Sequence, residues 1–102
     1  MNVLTLGGED PRLHAEAVIT VGETFHVRLP VTPGAGLSWE VVQQPGGVIV
    51  TDTSRDDTTG VQRIGFRAAH PTSGRLRLSY QRCRDQTSRI RDCVIEVRAT
   101  DA

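Results

Sequence analysis

Leu29-Pro30-Val31-Thr32-Pro33-Gly34-Ala35-Gly36-Leu37-Ser38-Trp39 interrupts one strand pattern and begins another. Pro30 and Pro33 fix φ and remove two backbone donors, while Gly34 and Gly36 admit backbone conformations closed to other residues. The segment cannot extend a strand and must be a loop of defined shape. Before it, Phe25, Val27 and Leu29 alternate with Thr24, His26 and Arg28; after it, Leu37, Trp39 and Val41 alternate with Ser38, Glu40 and Val42. Both are the period-2 pattern of a half-buried strand, with Trp39 as a core anchor at the loop exit.

The alternation continues outward in both directions. Toward the N-terminus, Ala17, Ile19 and Val21 share a face up to the turn Gly22-Glu23, and the run from Val3 to Leu6 predicts a short edge strand closed by Gly7-Gly8. Toward the C-terminus, the turn cluster 43–47 precedes a short β-branched strand over 48–51. Ile64, Phe66 and Ala68 then point inward, as do Leu76, Leu78 and Tyr80 between outward Arg75, Arg77, Ser79 and Gln81, and finally Cys93, Ile95 and Val97. Residues 52–60 are polar without period and are expected to form an exposed loop. No window carries a helical period. Roughly seven or eight short strands with frequent turns predict one all-β domain over 1–102, an antiparallel β-sandwich.

Composition narrows the function. A compact chain of 102 residues buries roughly 65% of its unfolded surface, enough for one core. Twelve basic residues, all arginine, balance 12 acidic ones, so no global field steers the chain toward nucleic acid or a membrane surface. The four aromatics, Phe25, Trp39, Phe66 and Tyr80, fall on inward positions, which argues against base stacking. No apolar run approaches the length of about 18 residues needed to insert in a membrane. The N-terminus lacks a basic-then-apolar leader pattern; a periplasmic or secreted location is expected if a leader has been removed, a cytoplasmic one otherwise.

His14, His26 and His70 are scattered and expected at the surface, with no metal-ligand spacing. Asp52, Asp56 and Asp57 lack the calcium-loop pattern, and no nucleophile motif occurs. Neither a metal, a cofactor nor an enzymatic activity is expected. Cys83 and Cys93 flank the last hairpin loop, where a disulfide would close a ring of about ten residues and contribute roughly 2–3 kcal/mol. Strand parity opposes it, since Cys83 shares the outward side with Gln81 and Cys93 the inward side with Ile95. An exposed Cys83 above a buried free Cys93 is the alternative. The hairpin carries Arg82, Arg84, Arg89 and Arg91 against Asp85 and Asp92, which fits a solvated tip or recognition of an acidic surface.

The chain resembles the chagasin family of cysteine-peptidase inhibitors. The resemblance is carried by Val21-Gly22-Glu23, by Leu29-Pro30 with Thr32 through Trp39, and by Phe66 to Ala69 through Gly74 to Leu78-Ser79-Tyr80-Gln81-Arg82. It implies an immunoglobulin-like sandwich, expected as a monomer, whose three adjacent loops reversibly block the cleft of a papain-type cysteine peptidase. The family's first loop, Asn-Pro-Thr-Thr-Gly, falls on Thr32, Pro33, Gly34, Ala35 and Gly36 ahead of Leu37. Pro33 and Gly36 match, and Ala35 stands where the family has a hydroxyl. The second, Gly-x-Gly-Gly, falls on Asp57, Thr58, Thr59 and Gly60 and keeps only Gly60. The third, Arg-Pro-Trp, falls on Arg82, Cys83 and Arg84 and keeps only Arg82. A non-inhibitory protein-binding or adhesion module on the same scaffold is the other function these residues allow.

Overall fold

Among the described residues the chain folds into eight strands: β1 (Asn2–Thr5), β2 (Arg12–Thr20), β3 (Thr24–Pro30), β4 (Ser38–Gln43), β5 (Val48–Asp56), β6 (Val61–Ala68), β7 (Thr72–Gln81) and β8 (Arg91–Thr100). A 3-10 turn, Gln86–Ser88, lies between β7 and β8. The structure, a computed structural model, describes residues 2–6, 12–83 and 85–101. One sheet has the order β1-β3-β6-β5 and the other β2-β8-β7-β4. Their inner faces carry Phe25, Val27, Leu29, Ile64 and Phe66 on one side and Trp39, Leu76, Leu78, Tyr80, Cys93 and Ile95 on the other, none more than 3% exposed. Phe25 and Phe66 are cross-strand partners with ring centroids 5.4 Å apart, and Trp39 and Tyr80 are partners at 5.2 Å. Such pairs add to the area they bury and lock register.

The immunoglobulin-like sandwich is as expected, but its strands are not all antiparallel: β1 runs parallel to β3, and β2 parallel to β8. Periodicity reports which face a residue takes and is silent on strand direction. Residues 52–56, expected in a loop, continue β5, and only 57–60 form the turn. As an edge strand β5 pairs with β6 alone, and its residues beyond Val48 are exposed. An all-polar strand end is stable there because its partner supplies the hydrogen bonds and burial demands nothing of it.

Three outward-parity residues are buried rather than exposed. His26 is only 9% exposed, because its neighbour across the sheet is Gly65, followed by Asp52 on β5. With no side chain between them, the imidazole reaches across, bringing Nε2 within 3.4 Å of Asp52 Oδ1. A Cβ on Gly65 would collide with both Asp52 and Thr51. Ser79 and Gln81 are each 2% exposed because β7 is an inner strand. Glu40 and Asp92 flank Ser79 in register, and Gln81 Nε2 donates to Glu40 Oε1 at 2.9 Å. His14 and His70 remain exposed. In the turn between β2 and β3, Glu23 accepts the Thr20 N–H at 2.7 Å, and this bond holds its carboxyl below the usual range.

Candidate functional site

Three loops meet at one end of the sandwich. The first, 31–37, joins β3 to β4; the second, 57–60, joins β5 to β6; the third, 82–90, joins β7 to β8. Register places them together. Pro30 pairs with Val61, which puts the second loop beside the start of the first, and Ser38 pairs with Gln81, which puts the third beside its exit.

The first loop is held from outside itself. The Trp39 indole N–H donates to the Pro30 carbonyl at 2.9 Å and ties the loop's two ends together. Tyr80, 48 positions away, accepts the Thr32 N–H on its hydroxyl at 2.8 Å. Trp39, Tyr80 and Arg91 form one row across β4, β7 and β8, with the Arg91 guanidinium 5.9 Å from the Trp39 ring. On the edge strand β4, the Trp39 backbone is also paired from the facing sheet: Gln62 Oε1 accepts its N–H at 2.8 Å and Gln62 Nε2 donates to its carbonyl at 2.9 Å. Above this base, Thr32, Pro33, Gly34, Ala35 and Gly36 are exposed and Leu37 is half-buried. Gly34 and Gly36 have φ of +78° and +74° with open space where a Cβ would lie. Conformation rather than room demands glycine there.

The second loop is tied to the first. The Val31 N–H donates to Gly60 O at 2.9 Å. Gly60 has φ +69°, and a Cβ there would sit 3.1 Å from Val31 O. Asp56 Oδ1 accepts the Thr58 and Thr59 N–H groups at 2.9 and 3.3 Å and shapes the turn. Arg55 at the end of β5 reaches both loops. Its Nε donates to Asp57 Oδ1 at 2.6 Å and its Nη1 to Leu37 O at 2.5 Å, while Nη2 lies 3.5 Å from Thr32 O.

The third loop is held by its own residues. Arg82 and Asp85 bridge, the Arg82 N–H donates to Ser88 Oγ at 2.8 Å, and Asp85 Oδ1 accepts from the Thr87 N–H and hydroxyl. Arg82 and Cys83 are exposed, Ile90 is 57% exposed, and Arg84 lies outside the described residues. The Cys83–Cys93 disulfide is not formed. Cys83 is a free thiol past the end of β7, whereas Cys93 faces the core opposite Leu78, as strand parity requires. Burial pushes the Cys93 thiol up to about 12.

Thr32 to Leu37, Thr58 to Gly60, Arg82 and Cys83, which the resemblance implies as contact loops, stand at one end of the sandwich, and of the residues that support them Gln62 and Arg55 were not among those expected. Gln62 shares the inward parity of Ile64 and Phe66, and a polar residue on a core-facing position was the available signal. Arg55 carried none, since its stretch lacks period and a bulge between Val50 and Asp52 shifts the register. Ile90, an exposed apolar residue in an otherwise charged hairpin, could have been found by that contrast. Among the described residues no group of three or more His, Cys, Asp or Glu side chains could hold a metal ion.

No protein-family model and no curated protein sequence matches the chain. Solved structures do. PbICP-C, solved in complex with falcipain-2, superposes with a TM-score of 0.77 at 16% identity over 97% of this chain and 99% of that one. The cysteine protease inhibitor EhICP2 of Entamoeba histolytica gives 0.74 at 15% identity over 96% and 93%. Amebosin gives 0.65 at 19% identity over 85% and 97%. The chain therefore has the chagasin-like fold throughout.

Proposed function

We propose that the protein is a reversible, monomeric inhibitor of papain-type cysteine peptidases rather than an enzyme, and that the 31–37, 57–60 and 82–90 loops together occupy the cleft. One observation carries this reading: an exposed loop shaped by Pro33 and two positive-φ glycines is braced at its base by Trp39, Tyr80 and Arg55 from other parts of the fold. A rigid, protruding loop loses little entropy on binding and can fill a cleft without relaxing into a cleavable extended strand. The fold it shares with EhICP2, a cysteine protease inhibitor, and with PbICP-C, captured on falcipain-2, supports the same reading.

In place of the aromatic anchor that the resemblance implies for the third loop, Ile90 offers apolar area and Arg82 and Arg89 offer charge. The expected affinity is accordingly modest. Titration of the purified domain against papain and a cathepsin-L-type enzyme, with a fluorogenic peptide substrate, should give inhibition at about 1 μM or tighter, roughly 8 kcal/mol of binding. Full peptidase activity at about 100 μM domain, where even a binder of about 5–6 kcal/mol would register, would sink the inhibitor reading and leave a protein-binding module on the same scaffold. Size-exclusion chromatography checks the monomer.

A further inference from the structure

We propose that Arg55 is a positioning residue that locks the first two loops into one rigid contact unit. This deepens the inhibitor reading and rests on it for its consequence in binding, although the brace itself does not. Arg55 stands at the end of β5 on the inward side, paired in register with core-facing Gln62. Its side chain is 27% exposed, partly covered where it lies against the two loops at the rim of the sandwich. Leu37 and Thr32, whose carbonyls it faces at 2.5 and 3.5 Å, are the last residue of the first loop and the first of its exposed stretch. Asp57, which accepts from Nε at 2.6 Å, opens the second loop. One planar group therefore spans the mouth of one loop and holds the start of the other.

The chemistry requires arginine. Three donors at different angles reach three acceptors at once, which a planar five-donor fork allows and a lysine ammonium at the end of a longer, looser stem does not. Asp57 orients the guanidinium as an ion pair, which aims Nη1 at the Leu37 carbonyl. The backbone bond from Val31 to Gly60 O runs alongside, so the two loops are joined at two points. Without Arg55 the Leu37 carbonyl loses the guanidinium it accepts from, and the first loop gains freedom to extend. In a peptidase cleft an extended loop is a substrate.

The test uses the whole domain as wild type, Arg55→Ala, Arg55→Lys and Asp57→Ala. In the free proteins, hydrogen exchange over 31–37 should accelerate about tenfold in Arg55→Ala, since a charge-assisted hydrogen bond is worth about that factor or more. Arg55→Lys should not restore it, and Asp57→Ala should give a smaller increase. Exchange in β7 and β8 should stay at the wild-type level, which verifies that each variant is folded.

Against papain, Arg55→Ala should inhibit about tenfold more weakly and be cut within 32–37 on prolonged incubation, while wild type stays intact. Unchanged exchange over 31–37, or full rescue by lysine, would overturn the proposal. Faster exchange with unaltered inhibition and no cleavage would also overturn it, because the brace would then position nothing that binding uses. If wild type itself fails to inhibit, the functional reading falls and the exchange data alone decide whether Arg55 joins the loops.

Discussion

The first and third loops stand side by side at one end of the sandwich and are held in opposite ways. The first draws its restraints from Tyr80, Trp39 and Arg55, all outside it and on three different strands. The third is closed by bonds among Arg82, Asp85, Thr87 and Ser88 and leans on the sheet chiefly through the Ile90 N–H to Tyr80 O at 3.1 Å. Remote restraints make the conformation of a loop part of the global fold, so that it loosens only when the core does. Local restraints leave a loop free to open by itself. The same edge therefore presents a preformed element beside an adaptable one, a division suited to a contact that enters a cleft at its centre and settles against a wall at its side.

The largest expected effect tests this dependence on the core. Trp39→Ala removes a side chain 2% exposed that stacks on Tyr80 and caps Pro30 O. It should cost about 3–5 kcal/mol in urea unfolding, and hydrogen exchange should quicken over 31–37 but not over 85–90. Equal loosening of both loops would break the distinction.

A second test compares the two cysteines, one in the self-held loop and one in the core beneath it. In the native protein Cys83 should react with a thiol reagent while Cys93 does so only after denaturation. Burial raises the folded pKa of Cys93 from 9.0 to about 12. Between those values the unfolded chain has released the proton and the native one retains it, so the native state is favoured by less as pH rises. Relative to Cys93→Ala, wild-type stability should fall above pH 9 by up to about 1.4 kcal/mol per unit and should show no such slope at neutral pH. A slope that persists in Cys93→Ala would assign it to another group.

Tyr80→Phe isolates a single remote restraint. Its ring still packs, but the Thr32 N–H loses the hydroxyl that accepts it at 2.8 Å. A loss of about 1 kcal/mol is expected, with faster exchange at Thr32 and no change in the third loop. Stability equal to wild type would mean that water replaces the hydroxyl and that Tyr80 contributes to the first loop through packing alone.

The contrast between the loops also explains what was legible beforehand. Alternation along Phe25, Val27 and Leu29, or along Leu76, Leu78 and Tyr80, is imposed by a two-sided sheet, so the core follows from the sequence itself, whereas residues 52–56, polar and without period, read as loop and continue β5. Strand direction is not imposed that way, and the parallel pairing of β2 with β8 left no local trace. Polar residues gain their roles from distant partners. His26 is buried because Gly65 on the next strand is bare, Gln81 because Glu40 stands beside it, and Arg55 matters because two loops bring carbonyl groups to it. The loops that the resemblance implies could be placed along the chain in advance; the network that fixes their shape could not, because it exists only between elements.

The smallest expected effect lies in the third loop. Asp85→Ala removes the carboxylate that accepts both the Thr87 N–H and its hydroxyl, an exposed local motif of the kind whose loss costs about 0.5 kcal/mol. Global unfolding should barely move, whereas exchange over 86–90 should rise sharply, because a locally closed turn opens without the core. Inhibition, if the loop settles on its partner only after contact, should weaken by about two- to threefold, the cost of ordering one small segment at the interface. A drop in global stability as large as that of Tyr80→Phe would show that the third loop belongs to the cooperative core after all, and that the difference between the two loops is one of bond length in sequence rather than of independence.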